Sequence, residues 1–181
     1  RGAFAALTDG LPVWFGFDLG KRIDLTGGAC VFSLPDGRVA IKTHGFMPAS
    51  GAERHERTDR VPYLSWANDG FVKLTPGEVT DNRYVWEWFK SNRASHRWTL
   101  REVDYDGHNA TDLGIMIQEE EHNEDIVVEI PQTCAGENMA VKGLRELLLQ
   151  GKLVLESSPL LLWCLKNAVE IQNNFGDVKL N

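Results

Sequence analysis

Two aspartates stand where a strand is expected to end. Asp18 closes the β-prone run from Val13 to Leu19, and Asp106 lies just past a strand predicted over Trp98 to Tyr105. In open α/β sheets, sites form at the carboxyl ends of strands. Two carboxylates from adjacent strand ends, far apart in sequence, build an oxygen-rich pocket for Mg²⁺ or Mn²⁺. Such hard cations take oxygen ligands, keep several waters and leave room for a phosphate oxygen. Two ions about 4 Å apart would activate a water and steady the leaving oxygen of a phosphodiester. Asp104 shares a strand face with Asp106 and competes with it. The pair alone is a weak signal, because clustered acids are often only structural.

Other candidates carry less. Gly16-Phe-Asp-Leu-Gly20-Lys21 superficially follows a phosphate-binding loop, but the spacing is one residue short and Arg22 replaces the required Ser/Thr. His108, in a loop after the strand, is more often a solvated turn residue than a ligand. Trp86, Trp88 and Trp98 suit base stacking but are more often core. Glu119-Glu-Glu121 reads as a solvated helix end. Lys21 and Arg22 beside Asp18, and Arg54, Arg57 and Arg60 in a polar insertion, are candidate DNA-phosphate contacts; surface solubility explains them about equally well. Cys30, Cys134 and Cys164 are widely spaced and odd in number, so free thiols and a reducing compartment are expected, without a structural zinc.

The positioning elements read as follows. Val13–Leu19, Leu25–Phe32 and Arg38–Phe46 form an antiparallel meander, with Pro35-Asp-Gly37 as a turn. Residues 52–59 are charged with almost no apolar face. A short helix over Val61–Ala67, a short strand at Phe71–Leu74 and a helix from about Tyr84 follow, the last with N-caps among Thr80-Asp81-Asn82. Beyond Trp98 the pattern alternates: helix Thr111–Glu120, a buried strand Asp125–Ile130, an amphipathic helix Glu137–Gln150 and a strand at Lys152–Leu155. In that amphipathic helix Val141, Leu144, Leu147 and Leu148 share a face. Helix Pro159–Lys166, strand Ala168–Gln172 and a half-finished hairpin at Asp177–Asn181 complete the chain. The fold class is α/β: a mixed sheet, three antiparallel strands then parallel ones, with helices on both faces.

The 181 residues carry 19 Lys+Arg against 26 Asp+Glu, a net charge of −7, with 43% hydrophobic residues. Disorder is excluded, and bulk-charge coating of nucleic acid is disfavoured. The longest apolar run, Leu160 to Leu165, is far short of a membrane span, and no signal peptide is visible. The chain does not begin with Met, which suggests a piece of a longer protein.

Several motifs recur in one order along the chain. They are Gly16-Phe-Asp18 through Asp24-Leu-Thr26; Trp66, Gly70 and Thr75-Pro-Gly77; Tyr105-Asp106 with Asn109-Ala110; Gln132; Gly151-Lys152-Leu153; and Pro159 with Trp163 and Asn167. Together they resemble the nuclease domain of the large terminase subunit of tailed bacteriophages. Each is loose; their shared order carries the resemblance. It implies an RNase H-like fold over residues 13–181, with 1–12 a remnant of an interdomain linker. It further implies cleavage of concatemeric double-stranded DNA with two Mg²⁺ or Mn²⁺ ions. Asp18 and Asp106 would be the catalytic, metal-holding acids, and Asp24 a further candidate. The family's third acid would lie beyond Asn181. The implied partners are DNA, an upstream ATPase domain, the small terminase subunit and the capsid portal, with no membrane. The place of action would be the host cytoplasm, transiently on the procapsid portal. Two departures stand out: Leu155 occupies a place where the family commonly has His, and Ser158 replaces the usual Asn. The alternative is a non-catalytic DNA-clamping or portal-docking module.

Overall fold

Alternation in Pro12–Asp18 makes it β1: Val13, Phe15 and Phe17 are buried on one side, while Trp14, Gly16 and Asp18 face the other. The computed structural model describes residues 2–20, 25–107 and 111–180. β2 (Thr26–Ser33) and β3 (Val39–Pro48) return antiparallel in turn, as the meander predicts. β4 (Val72–Thr75) and β7 (Leu153–Leu155) both add parallel to β3, β4 along its C-terminal end and β7 along its N-terminal end. β5 (Thr99–Tyr105) adds parallel to β1, and β6 (Val127–Glu129) parallel to β5. The sheet order is β4-β3-β2-β1-β5-β6, with β7 on β3, and β2 alone runs against the rest. One edge of the sheet therefore collects the carboxyl ends of β1, β3, β4, β5 and β6.

Helices cover both faces. On one side α1 (Gly2–Thr8), α4 (Arg83–His96) and α5 (Thr111–Glu121) bury Phe4, Trp86, Phe89 and Ile117 against Phe15, Phe32 and Val103. Phe15 stacks on Phe89 at 4.4 Å between ring centroids, and Phe89 on Trp86 at 5.1 Å. Trp86 and Trp98 are core residues, whereas Trp88 is half-buried and stacks on His44 at 5.1 Å. On the other side α2 (Ala49–Asp59), α3 (Tyr63–Asn68) and α7 (Pro159–Asn167) close a smaller core around Met47, Trp66, Val72 and Leu160. α7 lies so close to β3 that a Cβ on Gly45 would meet Leu160 Cδ2 at 2.8 Å. α6 (Cys134–Leu149) borders the same side and carries the hairpin of β8 (Glu170–Gln172) and β9 (Val178–Leu180).

Several expectations need revision. The charged stretch 52–59 has almost no apolar face, as expected, but it is helical within α2, where Ala52 alone is buried. The strand expected over Asp125–Ile130 shrinks to β6 behind a 3-10 turn at Glu124–Ile126, where Val127 and Val128 are half-buried and Glu129 is exposed at the sheet margin. In α6 Val141 is buried, but Leu148 turns outward, because the helix packs mainly on the hairpin. Glu119 and Glu120 are exposed, as a solvated helix end should be, but Glu120 and the half-buried Glu121 also hold partners on α4. Glu120 accepts from Trp86 Nε1 at 2.7 Å and pairs with Lys90, and Glu121 pairs with Arg93 at 2.6 Å, tying α5 to α4.

Candidate active site

β5 carries a register shift against β1: Val13 pairs with Leu100, but Trp14 pairs with Glu102, so Arg101 is skipped. That extra residue reverses the parity of the strand. Leu100 and Val103 can then both enter the core, while Glu102, Asp104 and Asp106 share the opposite face with Trp14, Gly16 and Asp18. Gly16 pairs with Asp104, so continuing the register sets Asp18 beside Asp106 at the sheet's carboxyl edge. On its other flank Asp18 pairs with Gly27, where a side chain would meet nothing within 4 Å of its Cβ, so that side stays open.

Asp18, Asp104, Asp106 and Glu137 line one open cleft of about 880 Å³. α6 supplies Glu137, α7 supplies Trp163 and Asn167, and β9 supplies Lys179. An apolar cavity of about 360 Å³ runs from Asp18 under α7, between Leu160, Leu161 and Gly45. Asp18 keeps solvent contact at the strand end, yet its pKa is raised, first by burial of its carboxyl, then by repulsion from Asp106 and from Glu137. Asp104 is raised to about 6, first by burial and then by repulsion from Glu102, with which it also shares a hydrogen bond. Among the described residues, no group of three or more His, Cys, Asp or Glu side chains converges at metal-binding distance.

Asp104 provides a test of this electrostatic picture. Its folded pKa lies above the ordinary carboxylate value, so the native state holds the proton more tightly than the unfolded chain. Stability from this group is present below pH 3.8 and is lost as pH rises toward about 6. Asp104→Asn should therefore stabilise the protein more at pH 7.5 than at pH 4. The expected difference is about 1 kcal/mol after allowance for solvent screening of a half-exposed group, read from urea midpoints. A pH-independent effect would contradict the assignment.

Of the residues singled out from the sequence, Asp18 and Asp106 come together in the cleft, with Asp104 beside them. Arg54 and Arg57 sit on α2, which leaves the sheet from the same edge through the end of β3. Arg57 donates from Nε to the Glu53 carbonyl at 3.3 Å within that helix. Arg60 caps α2 in the left-handed conformation, with φ 57°. Lys21, Arg22, Asp24 and His108 lie outside the described residues. Sequence reasoning missed Glu137 and Lys179. In the sequence Glu137 reads only as a helix start, and alternation around the buried Val178 is the available sign for Lys179.

A model of the terminase large subunit endonuclease domain matches residues 6–181. The large terminase subunit of Enterobacteria phage HK97 is 27% identical over 177 residues, covering 93% of this chain and 33% of that protein. Protein YmfN of Escherichia coli (strain K12) is 25% identical over 174 residues, covering 89% of this chain and 36% of its own length. The chain thus spans about a third of the length of the curated relatives it matches. The crystal structure of the HK97 bacteriophage large terminase superposes with a TM-score of 0.83 at 24% identity, over 100% of this chain and 38% of that one. That likeness shows a shared fold, and the mixed sheet with helices on both faces is RNase H-like. No described helix is long and apolar enough to cross a membrane. The matched segment takes in both carboxylate-bearing strands and nearly all of the chain, which therefore belongs to the endonuclease-domain family of large terminase subunits.

Proposed function

We propose that this domain cuts concatemeric double-stranded DNA during phage genome packaging, by hydrolysis that depends on two Mg²⁺ or Mn²⁺ ions held around Asp18 and Asp106. The observation that carries this reading is the meeting of Asp18 and Asp106 at neighbouring strand ends in an open cleft, in a chain of this family. The donor set suits hard divalent cations: it is all oxygen, and the crowding that raises Asp18 is what a cation would relieve. When bound, such ions supply charge neutralisation at the phosphate and a water acidic enough to attack it. The chain's own part is to hold and orient. Asp18 and Asp106 would hold the ions, with Asp24 as a further ligand, and water rather than a side chain would be the nucleophile.

Arg54 and Arg57, on the helix that leaves this edge, would meet backbone phosphates, as would Lys21 and Arg22, and set the duplex in register without reading sequence. Further proposals on the same footing are an upstream ATPase domain, a small terminase subunit and a capsid portal as partners. Action in the host cytoplasm, transiently at the portal, is proposed with them. The test is supercoiled-plasmid cleavage with and without Mg²⁺ or Mn²⁺. Cleavage should appear with metal and vanish with EDTA. DNA binding with no cleavage under any divalent ion would favour the clamping module instead.

A further inference from the structure

The cleft that holds the acids is also lined by a cation, and its position is fixed from outside. Asp18, Asp104, Asp106 and Glu137 are carboxylates; Lys179, on β9, is the basic residue among the described residues of the lining. A two-stranded hairpin of three residues per strand has little stability of its own. Here α6 holds it. The Asn138 side chain accepts from Val178 N at 3.2 Å, and Glu137 Oε2 accepts from Leu180 N at 3.2 Å, one bond on each side of Lys179. Lys142 donates to the Gly176 carbonyl at 3.2 Å, and Arg145 pairs with Glu170 at the start of β8. Val178 is buried and alternation turns Lys179 to the other face of the strand, and Lys179 is among the residues that line the cleft. The outer edge of β9 is thus tied to a helix, and the residue between the ties lines the same cleft as the acids.

We infer that Lys179 is a substrate-positioning residue that takes a backbone phosphate of the DNA strand lying across Asp18 and Asp106. This rests on the nuclease reading above. A strongly acidic cleft repels a polyanion unless something on its rim offsets that charge. An ammonium on a flexible stem suits a phosphate as a point charge, with no demand on base identity. Placed on the hairpin wall, it would hold the strand from the side opposite the sheet and leave the carboxylates to the ions. Its contribution is to substrate affinity and placement, and it takes no proton in the reaction.

The test uses duplex binding by fluorescence anisotropy in Ca²⁺ over a salt series, Mn²⁺ binding by calorimetry, and cleavage kinetics in Mg²⁺. Lys179→Ala should weaken DNA binding several-fold at low salt and reduce the slope of log K against log salt by about one. KM should rise more than kcat falls. Mn²⁺ affinity should stay at the wild-type value, and Lys179→Arg should restore most of the DNA affinity. A variant with unfolded hairpin contacts would lower Mn²⁺ affinity or thermal stability as well, and Lys179→Gln, which keeps the stem, then serves in its place. Wild-type affinity and salt slope in Lys179→Ala or Lys179→Gln, while the wild-type protein cleaves DNA, would overturn this inference alone. A wild-type protein that neither binds nor cleaves DNA with metal would overturn the nuclease reading as well.

Discussion

Asp18→Asn or Asp106→Asn is expected to lower metal-dependent DNA cleavage by at least about a thousandfold, some 4 kcal/mol of barrier, while the protein stays folded. Both side chains stand at the ends of adjacent parallel strands and line one cleft, so loss of either removes an anchor for the ions. The stability side has a definite sign. Burial, then Asp106 and then Glu137 raise the Asp18 pKa, so its ionised form is disfavoured in the folded protein. The stability it contributes is present at low pH and is lost as pH climbs from the ordinary carboxylate range through the raised value. At pH 7 and without metal, the neutral Asn removes that repulsion, and Asp18→Asn should melt at or above the wild-type temperature. Activity lost while stability is held or gained marks a carboxylate kept for function rather than for folding. Plasmid cleavage and thermal melts in EDTA measure the two halves. Undiminished cleavage by both variants would contradict the assignment.

The largest stability effect is expected at Lys42. Its ammonium lies 2.8 Å and 2.9 Å from the two carboxylate oxygens of Glu156, which is only 6% exposed. The pair sits where β7 closes against β3, next to the backbone bond from Glu156 N to the Ile41 carbonyl at 2.9 Å. Lys42→Met leaves the Glu156 carboxylate buried without its partner, a loss of about 3–5 kcal/mol. The double variant Lys42→Met/Glu156→Leu should recover most of that, because two apolar groups of similar size need no compensating charge. Urea unfolding of the three variants forms the double-mutant cycle. A loss under about 1 kcal/mol in the single variant would show that Glu156 reaches water or another donor.

What is legible in the sequence follows the range of the interactions involved. β1, β2 and β3 are successive in sequence and alternating, so local pattern suffices to place Asp18 at a strand end. Asp106 is placed for the same reason, although its face depends on the skipped Arg101, which alternation alone does not reveal. The pairing of β7 with β3 and the Lys42–Glu156 bond span more than a hundred residues, and nothing in either segment names its partner. α2 escapes a reading by periodicity because its burial rests on Ala52 alone, too narrow a face to register as a stripe. Glu120 reads as solvated charge, which it is, and its pairing with Trp86 and Lys90 is invisible in the sequence because both partners come from α4. For Lys179 local alternation gives only its face of the strand, because its meaning depends on α6 holding β9 beside the acids.

The nuclease reading turns on Asp18 and Asp106 holding divalent metal together. Anomalous scattering from Mn²⁺-soaked crystals of the protein tests this most directly. Mn²⁺ density is expected in the cleft, within coordination distance of both carboxylates, and is expected to be lost in Asp106→Asn. A cleft free of manganese at millimolar Mn²⁺, or manganese bound only elsewhere, would contradict it.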